Sequence, residues 1–212
     1  RVSLENNTEG DDNTAVGKDA LEGNTTGSYN TAVGSLALTA NTTGTKNDAF
    51  GYGAGGSITT GASNTCLGTQ AGDSISTGNY NVAIGVAALQ SIGDDSNNVA
   101  VGYKAGGAHT TGTNNVWVGK EAGEASVYNA SCVGVGSGAI GRLSGSYNTA
   151  IGTEALSGNQ GGGTSAEDYG IQPGMAVGSD GTVYNTTDFV PAPGQADKPG
   201  NLVEVLPDKQ KE

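Results

Sequence analysis

The chain has 212 residues, 38 of them glycine, with only 14% charged residues and a formal net charge of −12. Leu, Ile, Val and Phe together number 36, about 17%, a content that ordinarily marks disorder. Nine basic against 21 acidic residues exclude a nucleic-acid partner, because phosphate contacts need Lys and Arg, and apolar runs of only a handful of residues exclude membrane insertion by a helix.

What separates the chain from disorder is a repeat. After an N-terminal lead-in over residues 1–12, Asn13-Thr-Ala-Val-Gly17 returns every 17 residues through seven copies. The asparagine stands at Asn13, Asn30, Asn47, Asn64, Asn81, Asn98, Asn115 and Asn148. The glycine stands at Gly17, Gly34, Gly51, Gly68, Gly85, Gly102, Gly119, Gly136 and Gly152. The eighth copy, Cys132-Val-Gly-Val-Gly136, keeps the register without the asparagine, and the ninth, Asn148-Thr-Ala-Ile-Gly152, arrives after 16 residues. The nine copies occupy residues 13–158.

Counting the asparagine as slot 1, slot 4 is always apolar, slot 3 is usually Ala but becomes Cys66, Trp117 and Gly134, and slot 8 is always alanine. Alternation along a strand puts slots 2 and 4 on one face and slots 1, 3 and 5 on the other. The invariably apolar slot 4 is expected to face the core, and slot 3, which accepts tryptophan, to face solvent or a neighbouring chain. Glycine at slot 5 and Thr-Gly pairs such as Thr26-Gly27 and Thr60-Gly61 mark turns. Each unit therefore reads as strand, glycine turn, a second short strand around the alanine, then a polar loop. The expected fold is all-β: a parallel β-solenoid (β-roll) of nine coils of about 17 residues, roughly 43 Å long at about 4.8 Å per coil.

Burying one Val per coil contributes only about 1.5–3 kcal/mol, while ordering one residue's backbone costs about 1–2 kcal/mol. Side-by-side association of identical chains, burying the slot 8 alanine and slot 3 columns as well, is the expected source of further burial. The units Asn81-Val-Ala-Ile-Gly85 and Asn98-Val-Ala-Val-Gly102 resemble the head repeats of trimeric autotransporter adhesins. Longer units such as Thr25-Thr-Gly-Ser-Tyr-Asn-Thr-Ala-Val-Gly34 look more like the repeats of bacteriophage and marine-virus tail-fibre proteins. The resemblance covers about two thirds of the chain, although the 17-residue period exceeds the usual adhesin unit. It implies a homotrimeric rod exposed on a virion surface, outside cells, whose partners are its own copies, other virion proteins and a host cell-surface glycan or protein receptor.

From Asn159 the period stops, and all five prolines follow, so residues 159–212 read as a Gly/Pro-rich cap or docking segment. A joint is expected at Gly161–Gly163, short strands over Ile171–Val177, Gly181–Tyr184 and Leu202–Leu206, and a frayed tail from Asp208.

Chemical motifs are sparse. His109 reads as a loop residue, and Cys66 and Cys132, four coils apart, are too distant for an intrachain disulfide and read as buried small residues in alanine-like columns. Asp11-Asp12 and Asp94-Asp95 read as solvated loop charges, and Glu121 and Glu124 flank Ala122 without an aromatic platform. No cofactor, metal or enzymatic activity is expected. Tyr29, Tyr80 and Tyr147, each just before slot 1, are the candidate receptor or glycan contacts, since an aromatic ring beside Asn, Ser and Thr can stack on a sugar. Asn24, Asn41 and Asn185 each open an Asn-Thr-Thr glycosylation sequon. The expected function is a structural fibre or adhesin of a virus particle. The alternatives are an ice-binding solenoid with recurring Thr pairs, a glycan-depolymerising tailspike, and a bacterial trimeric adhesin head.

Overall fold

The computed structural model describes residues 2–125, 130–141 and 145–157, together with the backbone of 175–177 and 183–185. Each copy of the repeat contributes one three-residue strand: β1 (Thr14–Val16), β2 (Thr31–Val33), β3 (Asp48–Phe50), β4 (Thr65–Leu67), β5 (Val82–Ile84), β6 (Val99–Val101), β7 (Val116–Val118), β8 (Val133–Val135) and β9 (Thr149–Ile151). They pair in parallel in chain order, slot for slot, as in Val82 with Val99 and Ile84 with Val101. The nine strands wind a β-solenoid of about eight turns, all-β and without a helix among the described residues. β10 (Met175–Val177) and β11 (Val183–Asn185) pair antiparallel, and β10 meets β9 through Met175 and Ile151. The expected joint at Gly161–Gly163, the strand over Leu202–Leu206 and the tail lie outside the described residues.

The expected second strand is not formed. Around slot 8 the chain turns, and its hydrogen bonds still run from coil to coil, as in Leu21 N–H to Ala37 O at 3.0 Å and Leu38 N–H to Ala54 O at 3.0 Å. The expected orientation of the first strand is also reversed. Slot 3 points inward, with Ala32, Ala83 and Trp117 fully buried, whereas slot 4 points outward, leaving Val16 57% and Leu67 47% exposed. The reason is width. The interior is narrow enough that alanine fills it from two sides, at slot 3 and at slot 8, and no column of large side chains fits between them.

Larger apolar groups enter the core at slots 9 and 12, reciprocally in the first four coils and together at Leu89 and Ile92. Leu21 and Leu38 at slot 9 accompany Asn24 and Asn41 at slot 12, whereas Gly55 and Gly72 at slot 9 accompany Ile58 and Ile75. A Cβ on Gly55 would stand 2.9 Å from Leu38 Cδ2 and 3.0 Å from Ile58 Cδ1. Trp117 fits at slot 3 by the same means. Cβ atoms on Gly123, Gly106 and Gly134 would come within 2.5, 2.8 and 2.9 Å of its indole, so three glycines vacate the volume that one ring fills.

Small side chains alone do not hold such a rod together. The buried asparagine column does. Asn30 N–H donates to Asn13 Oδ1, and the same bond repeats at 3.0 Å from Asn47, Asn64, Asn81, Asn98 and Asn115 to the asparagine one coil before. From Asn13 to Asn98, each Nδ2 meanwhile closes its own coil onto a slot 15 carbonyl, as in Asn64 to Gly78 O at 2.8 Å and Asn98 to Gly112 O at 2.9 Å. A second stack, Asn7–Asn24–Asn41, runs at slot 12 with 2.7 Å amide-to-amide bonds. It stops at Ile58, leaving Asn41 Oδ1 buried without a hydrogen-bond partner. Slot 5 needs glycine because the next coil lies too close: Gly68 has φ +132°, and a Cβ there would sit 2.6 Å from Gly85 O.

Asn64→Ala strands the N–H of Asn81 and the carbonyl of Gly78 in the core, and is expected to destabilise the fold by roughly 1–3 kcal/mol in urea unfolding. The neighbouring outward substitution Thr65→Ala is expected to stay within about 0.5 kcal/mol. Equal effects would contradict the ladder as the main restraint.

Candidate functional site

Because the strands turn their larger apolar residues outward, the sheet presents a continuous apolar column to solvent. Val16, Phe50, Leu67 and Ile151 are exposed, and Val33, Ile84, Val101, Val118 and Val135 are half-buried. Beside it, slot 2 changes character along the rod. It carries Thr14, Thr31, Asp48 and Thr65 in the first four coils, Val82, Val99, Val116 and Val133 in the next four, and Thr149 in the last. The alanine and slot 3 columns, expected to be covered by association, are already buried within one chain. The surface that lacks cover is the slot 2 and slot 4 face.

Tyrosines flank this face. Tyr29, Tyr80 and Tyr147 occupy the position before slot 1 and are 57%, 64% and 83% exposed, while Tyr52 and Tyr103 stand exposed just past the glycine turn. The backbone at Tyr29, Tyr80 and Tyr147 is left-handed, with φ of 62°, 59° and 65°. That conformation suits Asn97 and Asn114, which hold the same slot, better than it suits a bulky side chain. Among the described residues, Tyr29, Tyr80 and Tyr147 are held by backbone hydrogen bonds alone, as in Tyr80 N–H to Ala62 O at 3.1 Å.

Two sequence expectations are corrected inside the core. His109 lies in a loop, as expected, but not at the surface. It is fully buried at slot 12, edge-on to Trp117 with ring centroids 5.9 Å apart. Asn115 Nδ2 lies 3.3 Å from its Nε2. Asn115 Oδ1 is committed to Cys132 N–H, so the amide presents its NH2 to the imidazole and Nε2 is the acceptor. Cys66 does occupy the slot 3 column, but Cys132 stands in the asparagine column. Its thiol repeats both asparagine roles, accepting from Asn148 N–H at 3.4 Å and donating to Gly145 O at 3.3 Å. Both cysteines are free and buried. Burial pushes the Cys66 thiol up to about 12, and burial raises Cys132 as well, against the opposing hydrogen bond from Asn148.

The remaining candidates are bound up in structure. Glu121 pairs with Lys120 at 3.4 Å and Glu124 with Lys104 at 3.2 Å, so the two carboxylates serve separate ion pairs instead of facing one another across a substrate. Asp94 Oδ1 accepts from Thr77 N–H and Asp95 Oδ2 from Gly112 N–H. No cluster of three metal-ligating side chains occurs among the described residues. Thr25, Thr42 and Thr59 donate their hydroxyls to the next coil at 2.9, 3.0 and 3.3 Å, which commits those donors to the rod instead of to ice. Asn24 and Asn41 have their amide nitrogens in the slot 12 stack, so glycosylation at either sequon is incompatible with the folded coil. The side chain of Asn185 lies outside the described residues.

No family model, curated protein or solved structure matches this chain.

The raised Cys66 thiol favours the fold while it is protonated. The unfolded state ionises near the ordinary value of 9.0 and the folded state near 12, so this contribution is whole below pH 9 and fades as pH rises toward 12. In urea titrations from pH 8 to 11, Cys66→Ala, which restores the commonest residue of the slot, is expected to lose stability less steeply with pH than the parent chain.

Proposed function

We propose that this chain is a structural segment of a virus-particle fibre. Three copies lie side by side with their rods parallel and present the contact with a host-surface glycan or protein receptor. The observation that carries this reading is the apolar column at slot 4, which runs the length of the solenoid and has no cover within one chain. Soluble monomers rarely expose a continuous apolar patch of such extent. Packing three copies along it buries the slot 4 column and the valines of slot 2, leaving the other surfaces of each rod in water. The likeness of the repeats to tail-fibre and trimeric adhesin-head units supports the same arrangement. Other virion proteins hold one end of the rod, and the location is the outer surface of the particle.

No catalytic step enters this reading. Three identical edges multiply a weak contact into avidity. Tyr29, Tyr80 and Tyr147 are the proposed receptor contacts. A tyrosine kept in a left-handed conformation, exposed and with no side-chain partner, is a residue retained against local preference, which favours a role outside the fold.

Sedimentation equilibrium is expected to give about three times 20.8 kDa. Ile84→Asp is expected to give a monomer with an unchanged circular-dichroism spectrum, since it sets an uncompensated carboxylate in the shared face. A parent chain that stays monomeric at high concentration would sink the trimer. For the tyrosines, Tyr80→Asn is expected to raise stability by roughly 0.5–1 kcal/mol while weakening binding on a glycan array. Full binding by that variant would remove Tyr80 from the contact.

A further inference from the structure

An interface built from a repeat has a register problem. Sliding one rod past another by a single coil, about 4.8 Å, still lays aliphatic on aliphatic side chains over the coils from Val82 to Val135. Something must distinguish one height from the next, and one coil is unlike all the others. At the strand of the coil that starts at Asn47, the outward positions and their margins stand apart from their columns. Lys46 is the only cation before slot 1, Asp48 the only charge at slot 2, and Phe50 the only aromatic at slot 4. Tyr52, past the turn, is one of two aromatics at its slot. All four are exposed, and neither Lys46 nor Asp48 has a side-chain partner among the described residues. Of the inward positions, Asn47, Ala49, Gly51 and Ala54 keep the repeat, and the Gly55–Ile58 pair recurs in the next coil as Gly72–Ile75. The departure is therefore not drift of the whole coil. It lies on the outward face of the strand and its margins.

We propose that the outward row Lys46–Asp48–Phe50–Tyr52 is the register pin of self-association, recognising the same row of a second copy of this chain. The inference rests on the parallel trimer of the preceding subsection. Rotation about an axis parallel to the rod brings the strand-start margin of one face against the strand-end margin of the next. At equal height, Lys46 and Asp48 of one copy then face Phe50 and Tyr52 of its neighbour. The Tyr52 hydroxyl is a donor for the Asp48 carboxylate, and its ring is a face for the Lys46 ammonium. One coil out of register, Lys46 and Asp48 meet Val33 and Ser35 or Leu67 and Thr69, so Lys46 loses its aromatic face and the charged pair meets both aromatics only at equal height. A single buried polar residue sets register and partner number in coiled coils by the same logic.

The test maps which coil of one copy touches which coil of another. A photo-crosslinking phenylalanine analogue replaces Leu67 in the full chain, and a mixture of light and heavy isotope-labelled protein identifies cross-links between copies. In the otherwise unaltered chain, those cross-links are expected to cluster on the coil of Leu67 and its immediate neighbours. Asp48→Val, and the fuller replacement Lys46→Ser, Asp48→Val, Phe50→Val and Tyr52→Ser, which copies the row of Ser131, Val133, Val135 and Ser137, are expected to keep the assembled mass. Their cross-links are expected to spread over coils further along the rod. Spread cross-links in the unaltered chain would overturn the pin, as would clustering that survives the fuller replacement. A trimeric mass with no cross-link from Leu67 would overturn it too, because the copies would then meet elsewhere. A monomeric mass would defeat the trimer itself, a separate failure read from sedimentation before any cross-link is examined.

Discussion

The side-chain amide of one asparagine per coil governs this molecule. Its oxygen accepts the backbone N–H of the next coil's asparagine, and its nitrogen ties the start of its own coil to the end. The two bonds do different work. One sets the spacing between coils, and the other sets the length of chain that fits in a coil. Both lie in a buried core where water does not compete and where an unmade bond is costly. A chain with so few large aliphatic residues folds because hydrogen bonding carries the coil-to-coil cohesion that hydrophobic burial supplies in most proteins.

Cys132 shows how strict that requirement is. The asparagine is lost, yet the thiol still accepts from the following coil and donates to the closing carbonyl, at the longer distances sulfur requires. The next connection is one residue shorter, and the bond that closes the coil still reaches Gly145. Elsewhere the interior tolerates wide variation as long as volume is conserved locally. Glycines on three coils make room for Trp117, and the exchange of leucine with asparagine for glycine with isoleucine keeps slots 9 and 12 filled.

Much of the fold was legible in the sequence. The period, the strand at slots 2–4, the parallel stacking and the need for glycine at slot 5 all follow from the spacing of Asn, Ala and Gly. The direction of the strand was not. Alternation divides side chains into two faces but does not say which is inside, and an unbroken apolar column such as Val33, Phe50 and Leu67 ordinarily faces a core. Here the core is too narrow for it, and the column lies on the outside. His109 and Cys132 were misplaced for a related cause. Their surroundings are set by residues of the neighbouring coils, such as Asn115 and Trp117 around His109 and Asn115 and Asn148 around Cys132, so burial follows from stacking and not from the polar look of the local sequence. Tyr29, Tyr80 and Tyr147 were placed on the surface correctly by the turn residues around them, but their left-handed backbone leaves no mark in composition.

The reciprocity of slots 9 and 12 bears on how such a rod lengthens or shortens. The backbone of every coil is interchangeable with that of its neighbours, which invites duplication and loss of whole 17-residue units. The contents are not. The coils of Leu21 and Leu38 carry the same pair of core residues, so either is a copy that slips in beside the other. The unit bearing Trp117 shares its volume with glycines on the coils before and after it, so it moves only as a block of three. Recombination along this gene is therefore free at one end of the solenoid and constrained near the other, and the rod's length is expected to vary from its N-terminal coils.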